Sequence, residues 1–255
     1  KRYQIQNVYR AENTQKGRYR EFLQVDVDTV GSSSPLADIE ILELVNEAFK
    51  KLGLKFKIKI SDRNLLKSLS TGQIIALDKL EKVGDEGVLT ELEKTGLSMD
   101  EARKVLNDTK TLKASNELRG IIDAFEKNNP SVVEFDPTLA RGLNYYTGMI
   151  LEVKADEYSG GSLGGGGRYD ELIGIFAGRP IPAVGFSFGF DRVIEAMTEL
   201  NLFPVDLGGT KVLVTNTSDR SAKVASELRQ KGFSTELYID DKILDKQLRY
   251  ADKKQ

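Results

Sequence analysis

"YRAENTQKGRYREFLQVDVD", Tyr9 to Asp28, sets Arg10, Arg18, Arg20, Glu12, Glu21, Asp26 and Asp28 among residues that favour a sheet. It reads as a hairpin, with residues 3–10 and 19–28 as strands and the polar, glycine-containing "AENTQKG" between them. In the second strand Leu23, Val25 and Val27 point one way, and Phe22, Gln24, Asp26 and Asp28 the other. Unpaired carboxylates resist burial. The polar face is therefore either a solvated surface laced with ion pairs or a face that meets a ligand, with Arg10, Arg18 and Arg20 placed to grip phosphate or carboxylate oxygens. An amino acid together with a nucleotide would satisfy both signs at once.

Beyond "GSSSP", Ser34 is placed to cap a helix with Pro35 in its first turn. "LADIEILELVNEAFKKLG" follows with helical spacing at Ile41, Val45, Ala48 and Leu52 and ends on Gly53. "KFKIKI" alternates lysine with apolar residues, as a strand covered on one face. Residues 61–130 change to helical segments separated by glycines and polar turns, with a capping box at Ser98–Glu101. Strand signals return over 131–153, followed by "GGSLGGGGRYD", the strand "PAVGFSFGF" and the helix "DRVIEAMTEL". From Lys211 the order is strand, helix, strand, helix, with Val212–Val214 as an apolar run expected of a parallel strand buried on both faces. That unit is small for an independent core. The predicted divisions are 1–60, 61–130, 131–204 and 208–255.

The 255 residues are 40% hydrophobic and 30% charged with a net charge of -2, so any nucleic-acid surface must be a local patch. Cysteine and histidine are absent, which excludes disulfides, thiolate metal sites and every triad or zinc site that needs an imidazole. No apolar run approaches membrane-spanning length, so the expectation is a cytoplasmic protein that does not enter a membrane. The chain opens directly on strand-like alternation and reads as a fragment of something longer.

Other stretches admit two readings each. In "RGLNYYTG", Arg141–Gly148, adjacent tyrosines on a strand would face opposite sides, one in the core and one offering its hydroxyl to a ligand; ordinary β-propensity explains them as well. The glycines at 160, 161 and 164–167 match neither a dinucleotide fingerprint nor a P-loop, and composition alone favours a flexible loop over a strand crossed closely by a ligand. Arg192 falls in the first turn of a helix, where it would hold an anion with the helix terminus or be solvated while Asp191 balances the dipole. Lys50, Lys51, Lys55, Lys57 and Lys59 form a basic cluster, either a nucleic-acid contact or protection for an exposed strand.

Taken in order, these stretches resemble one family. "YRAENTQKGRYREFLQVDVD" resembles motif 2 of class II aminoacyl-tRNA synthetases, in the form found in histidyl-tRNA synthetases. "RGLNYYTG" resembles that family's histidine signature, with Asn144 at a position usually held by aspartate, and "GGGGRYDELIG" its second, glycine-rich signature. "PAVGFSFGFDRV" resembles motif 3, and the C-terminal unit the start of an anticodon-binding domain. The resemblance implies an α+β fold: an antiparallel sheet flanked by helices, a helical insertion and a truncated C-terminal α/β domain. Motif 1, through which the family dimerises, and the upstream loop that helps hold the histidine amino group are missing from this chain.

The implied reaction joins the carboxylate of L-histidine to the α-phosphate of ATP, with Mg2+, and passes the histidyl group to tRNA(His). By resemblance, Arg10 would grip the α-phosphate and the reacting carboxylate, and Arg18 and Arg192 the outer phosphates. Glu12 would meet the adenine amino group and Phe22 would stack on its ring. Gln24 would orient the substrate amino and carboxylate groups, Asp28 would accept the imidazole N–H with Tyr146 as partner and Tyr145 nearby, and Arg141 would neutralise charge at the α-phosphate. No magnesium ligand is assigned. The second reading is an inactive relative such as the regulatory subunit of ATP phosphoribosyltransferase, which typically lacks the anticodon unit and the catalytic arginines that Arg10, Arg141 and Arg192 supply here.

Overall fold

The computed structural model describes residues 1–11, 14, 19–140, 145–204 and 209–254, in two compact units, Lys1–Leu202 and Phe203–Gln255. In the first, β1 (Arg2–Tyr9), β2 (Glu21–Val30), β3 (Phe56–Asp62), β4 (Val133–Phe135), β5 (Met149–Ala155), β6 (Gly164–Arg168) and β7 (Ala183–Gly189) form one sheet. Its order is β1-β2-β7-β6-β5-β3-β4, antiparallel except where β4 runs parallel to β3. This is the expected α+β class, an antiparallel sheet with flanking helices.

The hairpin pairs Ile5 with Val25 and Gln4 with Asp26, which keeps the two-residue period on both strands. Helix α1 (Pro35–Lys51) starts as its sequence predicts, Ser34 Oγ accepting from the Leu36 N–H. Its apolar stripe is buried under the sheet, and Phe49 meets the rings of Phe186 and Phe188 with centroids 6.5 and 5.4 Å away. Ala48 and Leu52 are only half-buried; Leu42 and Phe49 are the large apolar residues buried here that the predicted spacing omitted.

Helices α2 (Thr71–Leu77), α3 (Leu80–Glu93) and α4 (Met99–Lys110) close a core of their own around Leu77, Leu89, Leu92 and Leu106. Leu66 and Ala140 belong to the same cluster. Ser70 and Ser98 each make a full capping box, with Gln73 and Glu101. Helix α5 (Asn116–Glu126) packs instead on α1, where Asn129 is shared by Asn46, Lys50 and Glu43.

Two expectations change here. Gly164–Gly167 of the glycine tract belong to an interior strand, β6, while Gly160 and Gly161 stay in the connection before it. In the strand a neighbour presses on the backbone, since a Cβ at Gly166 would lie 2.1 Å from the Gly185 carbonyl oxygen. The lysine-bearing strand β3 is also interior, between β5 and β4, so its lysines protect no edge. Lys57 donates to the Ser131 carbonyl and Lys59 pairs with Glu81 and Asp136, whereas Lys50, Lys51 and Lys55 are exposed.

After the short helix α6 (Gly174–Ala177), β7 leads directly into α7 (Phe190–Glu199). The second unit holds β8 (Val212–Val214), α8 (Ser221–Gln230), β9 (Thr235–Leu237) and α9 (Leu244–Asp252), with the two strands parallel. Val212–Val214 are half-buried, short of the burial on both faces that the apolar run predicted.

Candidate functional site

One face of the sheet carries almost no apolar side chains in its middle. Across β2, β7, β6 and β5 the register aligns Gln24 with Gly189, Asp26 with Ser187 and Gly165, and Gly165 with Glu152. Glycine between charged strands leaves a trough. It contains two adjoining cavities of about 410 and 340 Å3, within the size range of small-molecule sites.

Arg10, Phe22, Gln24, Tyr145, Tyr146 and Arg192 line the larger cavity. The Arg10 guanidinium lies 4.9 Å from the Phe22 ring centroid and donates to Gln24 Oε1 at 3.3 Å. Arg192 is half-buried, not solvated, and Nη1 donates to the Ser162 carbonyl at 2.9 Å. Asp191 accepts from the Leu23 N–H at 2.9 Å, which ties the start of α7 to the end of the β2 ladder. The far wall carries Glu81, Glu152 and Lys154. Lys154 pairs with Glu81 from α3, and burial, followed by the Lys59 ammonium, pushes its pKa down to about 8.

Gln24, Asp28, Tyr145 and Tyr146 line the second cavity with Arg2 and Tyr169. The Tyr169 phenol donates to Asp28 Oδ1, and Arg2 Nε stands 3.4 Å from Oδ2. Burial, then the hydrogen bond to Asp28, pushes the Tyr169 phenol well above its ordinary range, so it stays protonated and acts as a donor. Gln24 Nε2 donates to Asp26 Oδ1 at 2.7 Å, so β2 holds its polar row in one arrangement.

Tyr145 and Tyr146 correct the expectation of opposite faces. They precede β5 in irregular backbone, where strand alternation does not apply, and their rings lie 4.6 Å apart on the same side. Tyr146 packs with Leu139 and Ile150, and Tyr145 meets Tyr169 edge-on at 6.2 Å. A hydroxyl on Asp28 comes from Tyr169, a residue the sequence reading did not single out. Tyr169 lies in "GGGGRYDELIG", two residues past the last glycine of the run, where no local pattern marks it as facing a ligand. Glu12, Arg18 and Arg141 lie outside the described residues.

Among the described residues no group of three or more potential metal ligands converges, which leaves one or two carboxylates together with nucleotide phosphates as the set that could hold Mg2+. No described helix is long and apolar enough to cross a membrane.

The family model described as histidyl-tRNA synthetase matches residues 3–86 and 75–193. The chain is 41% identical to the histidine–tRNA ligase of Christiangramia forsetii, covering all of this chain and 64% of that protein. It is also 41% identical to the corresponding protein of Flavobacterium johnsoniae, over all of this chain and 62% of that protein. A crystal structure of histidyl-tRNA synthetase from Nostoc superposes with a TM-score of 0.80 at 29% identity, covering 99% of this chain and 68% of the other. The chain thus spans less than two thirds of the length of these two curated relatives. A match this extensive, on a sheet whose polar face holds both cavities, makes the chain a member of the histidyl-tRNA synthetase family.

Proposed function

We propose that this chain carries the amino-acid activation site of a histidine–tRNA ligase, which joins histidine to ATP with loss of pyrophosphate and transfers the product to tRNA(His). One observation carries this reading: the two cavities share Gln24, Tyr145, Tyr146, Gly165 and Ser187, so occupants of the two sides would touch. Holding two reactants against each other turns a bimolecular condensation that needs no protein nucleophile into an effectively unimolecular one.

In this reading the cavity with Arg10, Phe22 and Arg192 takes ATP, and the one with Asp28 and Tyr169 takes the imidazole. Arg10 and Arg192 would hold phosphate oxygens, Phe22 the adenine ring, and Gln24 the amino acid at the junction. Tyr145 and Tyr146 would wall the junction. Glu12, Arg18 and Arg141 keep the roles that the family resemblance implies, on adenine, outer phosphates and α-phosphate respectively. Magnesium would arrive on the triphosphate and be held chiefly by phosphate oxygens. Pairing through motif 1 into a homodimer and a cytoplasmic location belong to the same proposal.

The test is ATP–pyrophosphate exchange across the twenty amino acids, on the chain joined to the segments that its relatives carry in addition. Exchange with histidine alone is the expected result. Binding of histidine without exchange would instead favour an inactive regulatory relative.

A further inference from the structure

We infer that Arg168 is a positioning residue for the Asp28–Tyr169 pair, setting the geometry in which an imidazole is recognised; the inference rests on the reading of that cavity as the histidine side. Arg168 ends β6 and points away from the trough, while Tyr169, the next residue, lines it. Under the sheet the guanidinium is nearly fully buried and its donors are widely used. Nε and Nη2 form a fork on the two Asp38 oxygens in α1. Nη1 donates to the Ser32 carbonyl and to Asp170 Oδ1, both at 3.1 Å, and Nη2 reaches the Ser34 carbonyl at 3.3 Å. Burial opposes this charge, but the hydrogen bonds and charges of Asp38 and Asp170 outweigh it and hold the guanidinium pKa above its ordinary value.

What the clamp joins gives it a role beyond cohesion. Ser32 and Ser34 belong to the connection leaving β2, four and six residues past Asp28. The Arg168 carbonyl accepts from the Thr147 N–H at 2.8 Å, immediately after Tyr146. Asp170 accepts from the Ala183 N–H at 3.1 Å and donates its own N–H to Thr147 Oγ1 at 3.0 Å. Two of the groups lining the imidazole cavity, Asp28 and Tyr169, are therefore each a few residues from an anchor of the guanidinium, Ser32 and Asp170 respectively. Tyr146 is joined to the same frame through Thr147, which bonds the backbone of Arg168 and Asp170. A lysine offers a point charge in place of the planar fork and cannot make this set of contacts.

The experiment compares wild type with Arg168→Lys and Asp38→Asn, on the chain completed as above, in ATP–pyrophosphate exchange at varied histidine and varied ATP. Expected is a rise of about tenfold or more in the KM for histidine, with the KM for ATP and kcat at saturating histidine within about threefold of wild type, and no rescue by lysine. Equal losses for both substrates would make Arg168 a cohesion residue only and overturn the inference, as would an unchanged histidine KM in both variants. The second readout needs no activity: with carbon-13 in the tyrosine Cζ, the Tyr169 titration should move down toward the ordinary value near 10 in both variants. A Tyr169 titration that stays put in both also overturns it. Wild type that exchanges with no amino acid would count against the proposed function, and the Tyr169 titration would still decide whether Arg168 sets the pair.

Discussion

Tyr169 and Asp28 meet across the open face of the sheet, the phenol donating to Oδ1 while Oδ2 faces Arg2 at 3.4 Å. One oxygen is thereby committed and the other is left for exchange between Arg2 and an incoming N–H donor. Removing the phenol hydroxyl in Tyr169→Phe frees Oδ1 without removing charge. A hydrogen bond to a charged group contributes about 1.5–3 kcal/mol. Histidine affinity should fall roughly tenfold or more while ATP affinity stays within about twofold, read by calorimetry with each ligand alone. Parallel losses would show that Tyr169 supports the whole trough instead of one carboxylate.

Gly185 and Gly166 separate a local effect from a structural one. A Cβ at Gly185 would fall 2.1 Å from Asp28 Oδ1, the end of a side chain that can turn away, and 2.8 Å from the Val27 carbonyl oxygen, a backbone atom with less far to move than the one at Gly166. Gly185→Ala should therefore lose histidine binding about as far as Asp28→Ala does, with a smaller loss of stability than Gly166→Ala. At Gly166 the obstacle is backbone, the Gly185 carbonyl 2.1 Å away, with Phe186 Cα at 2.7 Å. Gly166→Ala should force the β6–β7 pair apart and lower the thermal midpoint by several degrees, a loss of about 1–3 kcal/mol for an overpacked site. Equal thermal midpoints for the two variants would count against this account.

These pairs also mark how far the sequence could be read. The polar row Gln24, Asp26 and Asp28 was legible because strand period alone separates it from Leu23, Val25 and Val27. The C-terminal order of strands and helices was legible from the apolar run Val212–Val214 and the helical stretches that follow it. β6 was not, since glycine carries no strand preference and its pairing comes from close approach of β7, a tertiary cause. Tyr145 and Tyr146 misled because strand parity was applied to residues that lie just outside β5. Arg168 and Asp38 stand 130 residues apart and neither breaks its local pattern, so only the fold could join them.

Lys154 offers a pH-dependent check. Its pKa, pushed to about 8 by burial and then by Lys59, leaves about half of it as free amine at pH 8, against well under ~1% for an ordinary lysine. Trace acetylation at Lys154 should follow a midpoint near 8 and slow when ATP fills the cavity it lines. The stability consequence has a definite sign. Between about 8 and the ordinary value of 10.5 the unfolded chain binds more protons, so this residue's contribution to stability rises with pH across that window. Lys154→Met should flatten that rise. A labelling midpoint at or above 10 would contradict the assignment.

Arg10 and Phe22 should respond with opposite signs to two nucleoside ligands. The guanidinium, 4.9 Å from the ring centroid, occupies a face of Phe22 that a stacked adenine would need. A cation over an exposed ring contributes about 0.5–1 kcal/mol, which a base must displace. Arg10→Ala removes that competition and should leave adenosine binding unchanged or up to about fivefold tighter. The same variant removes a phosphate partner, so ATP binding should weaken by tenfold or more. Competition binding with adenosine and ATP on wild type and variant reads both signs in one series. Loss of adenosine and ATP binding in equal measure would mean that Arg10 holds the hairpin in place, with no direct part in gripping phosphate.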